Sequence, residues 1–302
     1  VSDSRRGVVA GFAAYLIWGL FPLYWPLLKP AGAVEILAHR MIWSALSMAV
    51  VVVVLRRVGG VRAAFADRRR LAILAGAAAV ISINWGTYIW GVNNGHVVET
   101  SLGYFINPLV TVTLGVVVLG ERLRPLQWGA VAVALLAVVV LTLDYGRPPW
   151  IALVLAVSFA TYGLAKKKAD TGASESLTVE TTLVAPFAIA YAVWLASTGE
   201  ATFGHEGAGQ AALLVVAGVL TAVPLVLFGA AATRMSLVSL GLLQYLAPIL
   251  QFSIGVLVFR EEMPAARWAG FLLVWVALVV FTTESISHRR RQLALAADAS
   301  AL

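Results

Sequence analysis

The chain contains no cysteine, which excludes disulfides, thiolate zinc sites and cysteine nucleophiles. It is also poor in charge: 12% of its residues are Asp, Glu, Lys or Arg, about half of the ~25% usual in a soluble domain. Over 302 residues so little charge cannot cover the surface of a water-soluble fold. There is no GxxxxGK[ST] phosphate loop, so ATP hydrolysis of that kind is not encoded. The four histidines, His39, His96, His205 and His288, lie far apart and no pair has metal-ligand spacing. No catalytic constellation, metal site or cofactor motif is therefore expected. Nor is there a charged ring or a carbonyl filter of the channel type. Runs such as Ala45–Leu55 and Ala130–Leu143 lack the polar–apolar alternation that a membrane β-barrel requires.

Apolar sequence is what the chain has in abundance: 61% hydrophobic residues, with 10 Trp and 26 Gly. A membrane-crossing helix needs roughly 20 such residues. Ten runs qualify, at 7–27, 33–55, 71–92, 98–119, 126–144, 149–166, 177–196, 211–232, 237–259 and 265–284. They predict an all-α polytopic membrane protein of ten helices, with short loops, polar tails and no separate soluble domain. Arg5 and Arg6 give the first run a signal-peptide look. It is longer than an ordinary signal core and nine more runs follow, so it is expected to be retained.

The net charge of +7 invites a nucleic-acid reading until the basic residues are sorted by side. With the N terminus inside, 17 of the 22 Lys and Arg fall on the cytoplasmic side. Lys29, Arg147, Arg260 and Arg267 face outward, and Arg40 alone lies within a run. That bias predicts both termini in the cytoplasm, with the lipid bilayer and not nucleic acid as the partner of the charge.

A shift of 140 residues aligns Ser101–Glu121 with Gly241–Glu261 without gaps. Leu102, Pro108, Gly115, Val116, Val118 and Glu121 meet Leu242, Pro248, Gly255, Val256, Val258 and Glu261, and Trp128 meets Trp268. The repeat divides the chain at 1–145 and 146–302, the second part carrying a cytoplasmic C-terminal tail. Five helices per half is an odd number, so the halves would have opposite topology. Inverted repeats of this kind are typical of secondary transporters, whose substrate site lies between the halves near the midplane.

Polar residues at membrane depth are the candidate functional groups. Glu35, His39 and Trp43 share one helix face at i, i+4, i+8, with Arg40 offset by about 100°. This stripe suits an anionic or aromatic solute; alternatively Arg40 snorkels outward or pairs with Glu35 as a staple. Asn84, mid-run, either lines a cavity or bonds a neighbouring helix. Tyr104, Asn107 and Pro108 lie together; Pro108 frees the Tyr104 carbonyl, and Asn107 is placed to meet it. Gln244, Tyr245 and Pro248 match them in the second half. Two proline-broken helices in corresponding positions point to a transport site. Glu121 and Glu261 are expected to partner a helix N-terminus or to act as gates. For proton coupling the candidates are His39 with Glu35, or Glu99.

Several segments resemble a known family. They are Ala14-Tyr15-Leu16-Ile17-Trp18-Gly19, Glu35 to Ser44, Val92-Asn93-Asn94, Ser101 to Leu109, Leu119 to Arg122, Ala230 to Arg234 and Leu240 to Tyr245. The chain is similar over its whole length to the RarD family, in the EamA group of the drug/metabolite transporter superfamily. The resemblance implies ten helices in inverted five-helix repeats and a location in the bacterial plasma (inner) membrane. It implies a permease or exporter of small metabolites or drugs working by alternating access. Trp18, His39, Arg40, Trp43, Asn84, Tyr104, Asn107, Gln244 and Tyr245 are taken as the substrate-binding set. A flippase for a lipid-linked intermediate and a non-transporting scaffold are the alternatives.

Overall fold

The computed structural model describes residues 3–120, 122–235 and 237–300. Ten helices among them are long and apolar enough to cross a membrane, and each expected run falls within four residues of one. They are α1 (Asp3–Tyr24), α2 (Ala33–Val54), α4 (Arg68–Asn93), α5 (Val97–Leu119), α6 (Pro125–Tyr145), α7 (Trp150–Ala169), α8 (Ala173–Thr198), α9 (Gly207–Ala232), the segment Ser239–Val258, and α12 (Ala265–Ser300). An additional helix, α3 (Val58–Ala66), lies between α2 and α4. It is too short to cross and carries Arg62. Two helix ends show how the chain reverses. α5 stops at Gly120 (φ +68°) and α6 at Gly146 (φ +64°), the left-handed C-cap that glycine adopts without a Cβ penalty. Pro125 then opens α6 at the one turn where its missing N–H costs nothing.

The expected pair of proline breaks is realised in one half only. α5 runs unbroken through Pro108. The matching segment is divided into α10 (Leu237–Leu243) and α11 (Leu246–Ser253), with Gln244 and Tyr245 in a turn and a π-helical end at Ile254–Val258. The reason is position within the helix. Pro248 sits in the first turn of α11, where the amide N–H groups have no intrahelical acceptor to lose. Pro108 lies inside α5, held straight by α7 and α11 on its flanks. Pro22, Pro186 and Pro224 likewise lie inside continuous helices.

Two close approaches set the packing. Gly218 of α9 lies against the backbone of Trp43 and Ser44. Gly103 of α5 faces the Ala152 carbonyl of α7, where a Cβ would come within 2.8 Å. Small residues at such crossings let membrane helices meet without a hydrophobic driving force. α2 packs on α8 and α6 on α12; α4 and α5 pack on α7, as α9 and α11 pack on α1. Exchanging first-half helices for their counterparts maps this set of pairings onto itself. Leu143, Phe187, Val193 and Leu135 stay more than 60% exposed. Such side chains belong against lipid.

The bundle has a basic face, where α1 begins and Arg56, Arg57, Arg62 and Arg68 to Arg70 cluster, and a far face. On the far face, carboxylates of one half are tied to the other. Glu35 accepts from the Thr202 and Phe203 amides at 2.8 and 3.3 Å. Glu261 accepts from those of Val97 and Val98 at 2.5 and 2.9 Å. Glu99 accepts from both terminal nitrogens of Arg147 at 3.2 and 2.8 Å and from the Ile151 amide at 3.1 Å. Asp144 accepts from Arg267 Nε at 2.9 Å, and the Tyr24 hydroxyl donates to the Leu213 carbonyl. On the basic face Arg57 reaches Glu175 at 3.4 Å and Arg124 reaches Glu284 at 2.6 Å. Glu121 lies outside the described residues.

Candidate functional site

Arg40 is the centre of the candidate site. It lies about 10 Å of helix rise below the start of α2, and is 3% exposed. Its Nε donates to the Thr221 hydroxyl of α9 at 2.9 Å. The guanidinium carbon lies 3.8 Å from the ring centroid of Trp85, 5.1 Å from that of Trp25 and 5.6 Å from that of Phe21. Cation–π contact of this kind stabilises the charge without neutralising it, by about 0.5–2 kcal/mol for each well-placed ring. Among the described residues no carboxylate pairs with Arg40, and its Nη1 has no hydrogen-bond partner. The Glu35 staple is therefore not formed: Glu35 is committed to the Thr202 and Phe203 amides.

Beside this cation stand two further polar atoms without partners among the described residues, Tyr88 Oη and Trp25 Nε1; His39 Nδ1 and Trp43 Nε1, also without partners, lie on the Phe203 side. Tyr88 and Tyr104 meet edge to face at 5.6 Å. The Tyr104 hydroxyl donates to Asn84 Oδ1 at 3.2 Å, and Asn84 Nδ2 donates to the Leu155 carbonyl and the Ser158 hydroxyl, both at 2.9 Å. Asn84 thus bonds the neighbouring helix, and by doing so fixes Tyr104. An uncompensated buried cation is costly. Its free Nη1, the Tyr88 hydroxyl and the Trp25 indole N–H are donors of the kind an anion accepts from.

The EamA-like transporter family model matches residues 5–143. A Streptomyces exfoliatus protein described as RarD is 57% identical over 96% of this chain and 92% of its own length. The chain belongs to the RarD group of EamA-like transporters. A Pseudomonas aeruginosa relative described as an uncharacterized transporter is 44% identical over 96% of this chain and 97% of its own. A solved crystal structure aligns over 94% of this chain and 98% of its own with a TM-score of 0.60 at 18% identity, a likeness of fold alone. This RarD-group chain is a membrane transporter, a multi-pass protein of the bacterial plasma (inner) membrane.

The other expected site residues are spread around the core. His39 stacks on Phe203 at 4.5 Å, and Trp43 lies 6.4 Å from the same ring. Trp18 belongs to an aromatic group with Tyr15 and Phe228, and its carbonyl accepts from Gln251 Nε2 at 3.1 Å. Tyr245 faces α12, its hydroxyl 3.3 Å from that of Thr282. Gln244 is half-buried at the α10–α11 turn. Asn107 Oδ1 accepts from the Thr111 hydroxyl at 3.4 Å, one turn further along α5, and among the described residues it makes no bond to the Tyr104 carbonyl it was expected to meet. Glu99 is gripped by the Arg147 fork, and that hydrogen bond raises the Arg147 pKa above its ordinary value. Burial pushes the Glu261 carboxyl up, against the pull of the Val98 and Val97 amides.

One buried charge was not among the expected site residues. Glu180 of α8 is 1% exposed and engages Lys166, Tyr162 and, through Lys166, Ser176. Lys166 to Lys168 reads in the sequence as a positive-inside anchor, which hides the pair. The signal that finds it is the repeat itself. The same shift of 140 places Gly32-Ala33-x-Glu35-x-Leu37 on Gly172-Ala173-x-Glu175-x-Leu177, and Arg40 on Glu180.

Proposed function

We propose that this protein is a secondary carrier for small metabolites bearing a carboxylate or comparable anionic group, held by Arg40 and moved by alternating access. The observation that carries the reading is the buried, unpaired guanidinium between α2, α4 and α9. The halves 1–145 and 146–302 are the moving bodies, of opposite topology, with the basic face cytoplasmic as the positive-inside bias requires. The substrate anion supplies the counter-charge that Arg40 lacks. Tyr88, Tyr104, His39 and Trp43 shape its remainder, and Asn107, Gln244, Trp18 and Tyr245 extend the set along the central helices. No cofactor is required.

The ties between halves support a state closed toward the far face. Thr111 is exposed on the basic-face half of α5, whereas Gln251, its counterpart in the repeat, is 4% exposed and bonded to Trp18. Arg40 itself is shut off from solvent, so loading requires one half to move against the other. The test is counterflow in proteoliposomes with a panel of amino acids, hydroxy acids, aromatic carboxylates, nucleosides and amphenicols. Exchange of one or more anionic members is expected. Failure of every panel member to exchange, with correctly inserted protein, refutes the carrier reading.

A further inference from the structure

Glu180 lies seven residues inside α8. It enters from the basic-face side of α8 at the same offset that Arg40 has in α2 from the far side. Two donors from α7 hold it. Lys166 Nζ donates to Oε1 at 2.7 Å, and the Tyr162 hydroxyl donates to Oε2 at 2.9 Å. Lys166 also donates to the Ser176 hydroxyl. The carboxylate is 1% exposed but the lysine is 22% exposed, so the pair has one member on the aqueous side and one in the protein.

Glu180 also lines a narrow crevice between α2, α4 and α8, together with Met41, Ala78, Ile81, Trp85 and Thr181. Trp85 is the ring on which the Arg40 guanidinium rests. Trp85 thus serves both places: it lines the crevice with Glu180 and carries the Arg40 guanidinium on its ring. In an apolar medium charges act on one another over longer distances than in water.

The neighbouring helices bring few titratable groups to this place. α9 contains none, and the crevice residues of α2 and α4 are apolar apart from the Trp85 indole. Elsewhere on α2, Glu35 and His39 lie at the far face, the first on the Thr202 and Phe203 amides and the second on Phe203. α4 adds Tyr88 in the Arg40 site and Arg68, Arg69 and Arg70 at its basic end; α3 adds Arg62 and packs through Ala64 and Val61. α5 adds Tyr104, and Glu99 on Arg147. On α8 itself Glu175 pairs with Arg57. Only Lys166 and Tyr162 hydrogen-bond the Glu180 carboxylate among the described residues.

We propose that Glu180, with Lys166 and Tyr162, binds the proton that couples transport to a pH gradient. The proposal rests on the carrier reading. In the step, a proton from water on the basic face adds to a Glu180 carboxylate oxygen. The carboxylate becomes a carboxylic acid, the ion pair with Lys166 ends, and Lys166 keeps its ammonium proton. Release of the same proton restores the pair, and no other bond changes. The direction of coupling follows from charge. With the site empty, the Arg40 cation favours ionised Glu180. An anion on Arg40 cancels that cation and so favours protonated Glu180. By linkage, the proton strengthens anion binding by the same factor. Anion and proton then move in the same direction.

Infrared titration of the reconstituted protein tests the site with protons as the only probe. The wild type is expected to show a carboxylic C=O band at acid pH that vanishes on alkalinisation. The band is expected to be missing in Glu180→Gln and shifted in frequency in Tyr162→Phe, which removes only a hydroxyl. Absence of any band that Glu180→Gln removes overturns the proposal. Transport separates this outcome from failure of the carrier reading, which is read from wild-type counterflow alone. With the panel member that exchanges fastest, Glu180→Gln is expected to keep counterflow within a few-fold of wild type. It should lose accumulation into an alkaline lumen, which one-for-one coupling sets at about tenfold per pH unit. Gradient-driven accumulation by Glu180→Gln equal to the wild type overturns the proposal as well.

Discussion

Arg40 and Glu180 occupy corresponding places in the two halves and are treated in opposite ways. Arg40, on the far-face side, has three aromatic rings, one threonine hydroxyl and no counter-ion among the described residues. Glu180, on the basic-face side, has a lysine on one carboxylate oxygen and a tyrosine hydroxyl on the other. A buried ion pair is close to neutral in its contribution to stability, whereas an unpaired buried charge is a standing cost. A structural cation would have been given a partner, as Arg147, Arg267 and Arg124 have been. On the proposed reading, the difference is that Arg40 is kept unpaired for a ligand and Glu180 is kept paired against the time when it takes a proton.

The comparison is broken most severely by removing the unpaired charge. Arg40→Gln is expected to lower counterflow of an anionic solute at least tenfold, since a buried charge-assisted contact is worth about 2–5 kcal/mol; initial exchange rates read this directly. Gly218→Ala should come next, but on stability rather than chemistry. Its methyl would meet the Trp43 backbone and wedge α2 from α9, costing about 1–3 kcal/mol, which a lowered thermal midpoint in detergent reports. Glu99→Gln weakens the far-face tie to Arg147. After allowance for the 36% exposure of the arginine, a loss of about 1 kcal/mol is expected, with a faster far-face opening seen as increased hydrogen exchange at Ile151. The mildest probe is Trp85→Phe. It keeps a ring on Arg40 but a weaker one, and should weaken anion binding about two- to threefold, read by calorimetric titration.

Most of the fold was legible because lipid imposes one rule on every span: about 20 apolar residues with internally satisfied backbone. α3 was not, since nine residues are too short for a span and its two glycines are poor helix formers. The unequal fate of Pro108 and Pro248 was not legible either. Equal residues at equal repeat positions say nothing about where a helix starts, and Pro248 is harmless only because α11 begins two residues before it. In the site, Arg40 announced itself as the lone Lys or Arg within a span. Glu35, His39 and Arg40 share one stretch of α2 but serve three purposes: a loop cap, a stack on Phe203 and the empty cation. That division depends on α9 and the α8–α9 loop, far away in sequence. Glu180 was masked by the basic run beside its partner, although the repeat already marked its position.

The central claim is that Arg40 holds an anion. The direct measurement is calorimetric titration of the purified wild type and Arg40→Gln with a transported carboxylate and with its neutral amide. The account predicts that the wild type binds the carboxylate at least tenfold more tightly than the amide, and that Arg40→Gln loses this preference. Equal preference for the carboxylate in the two proteins would contradict it.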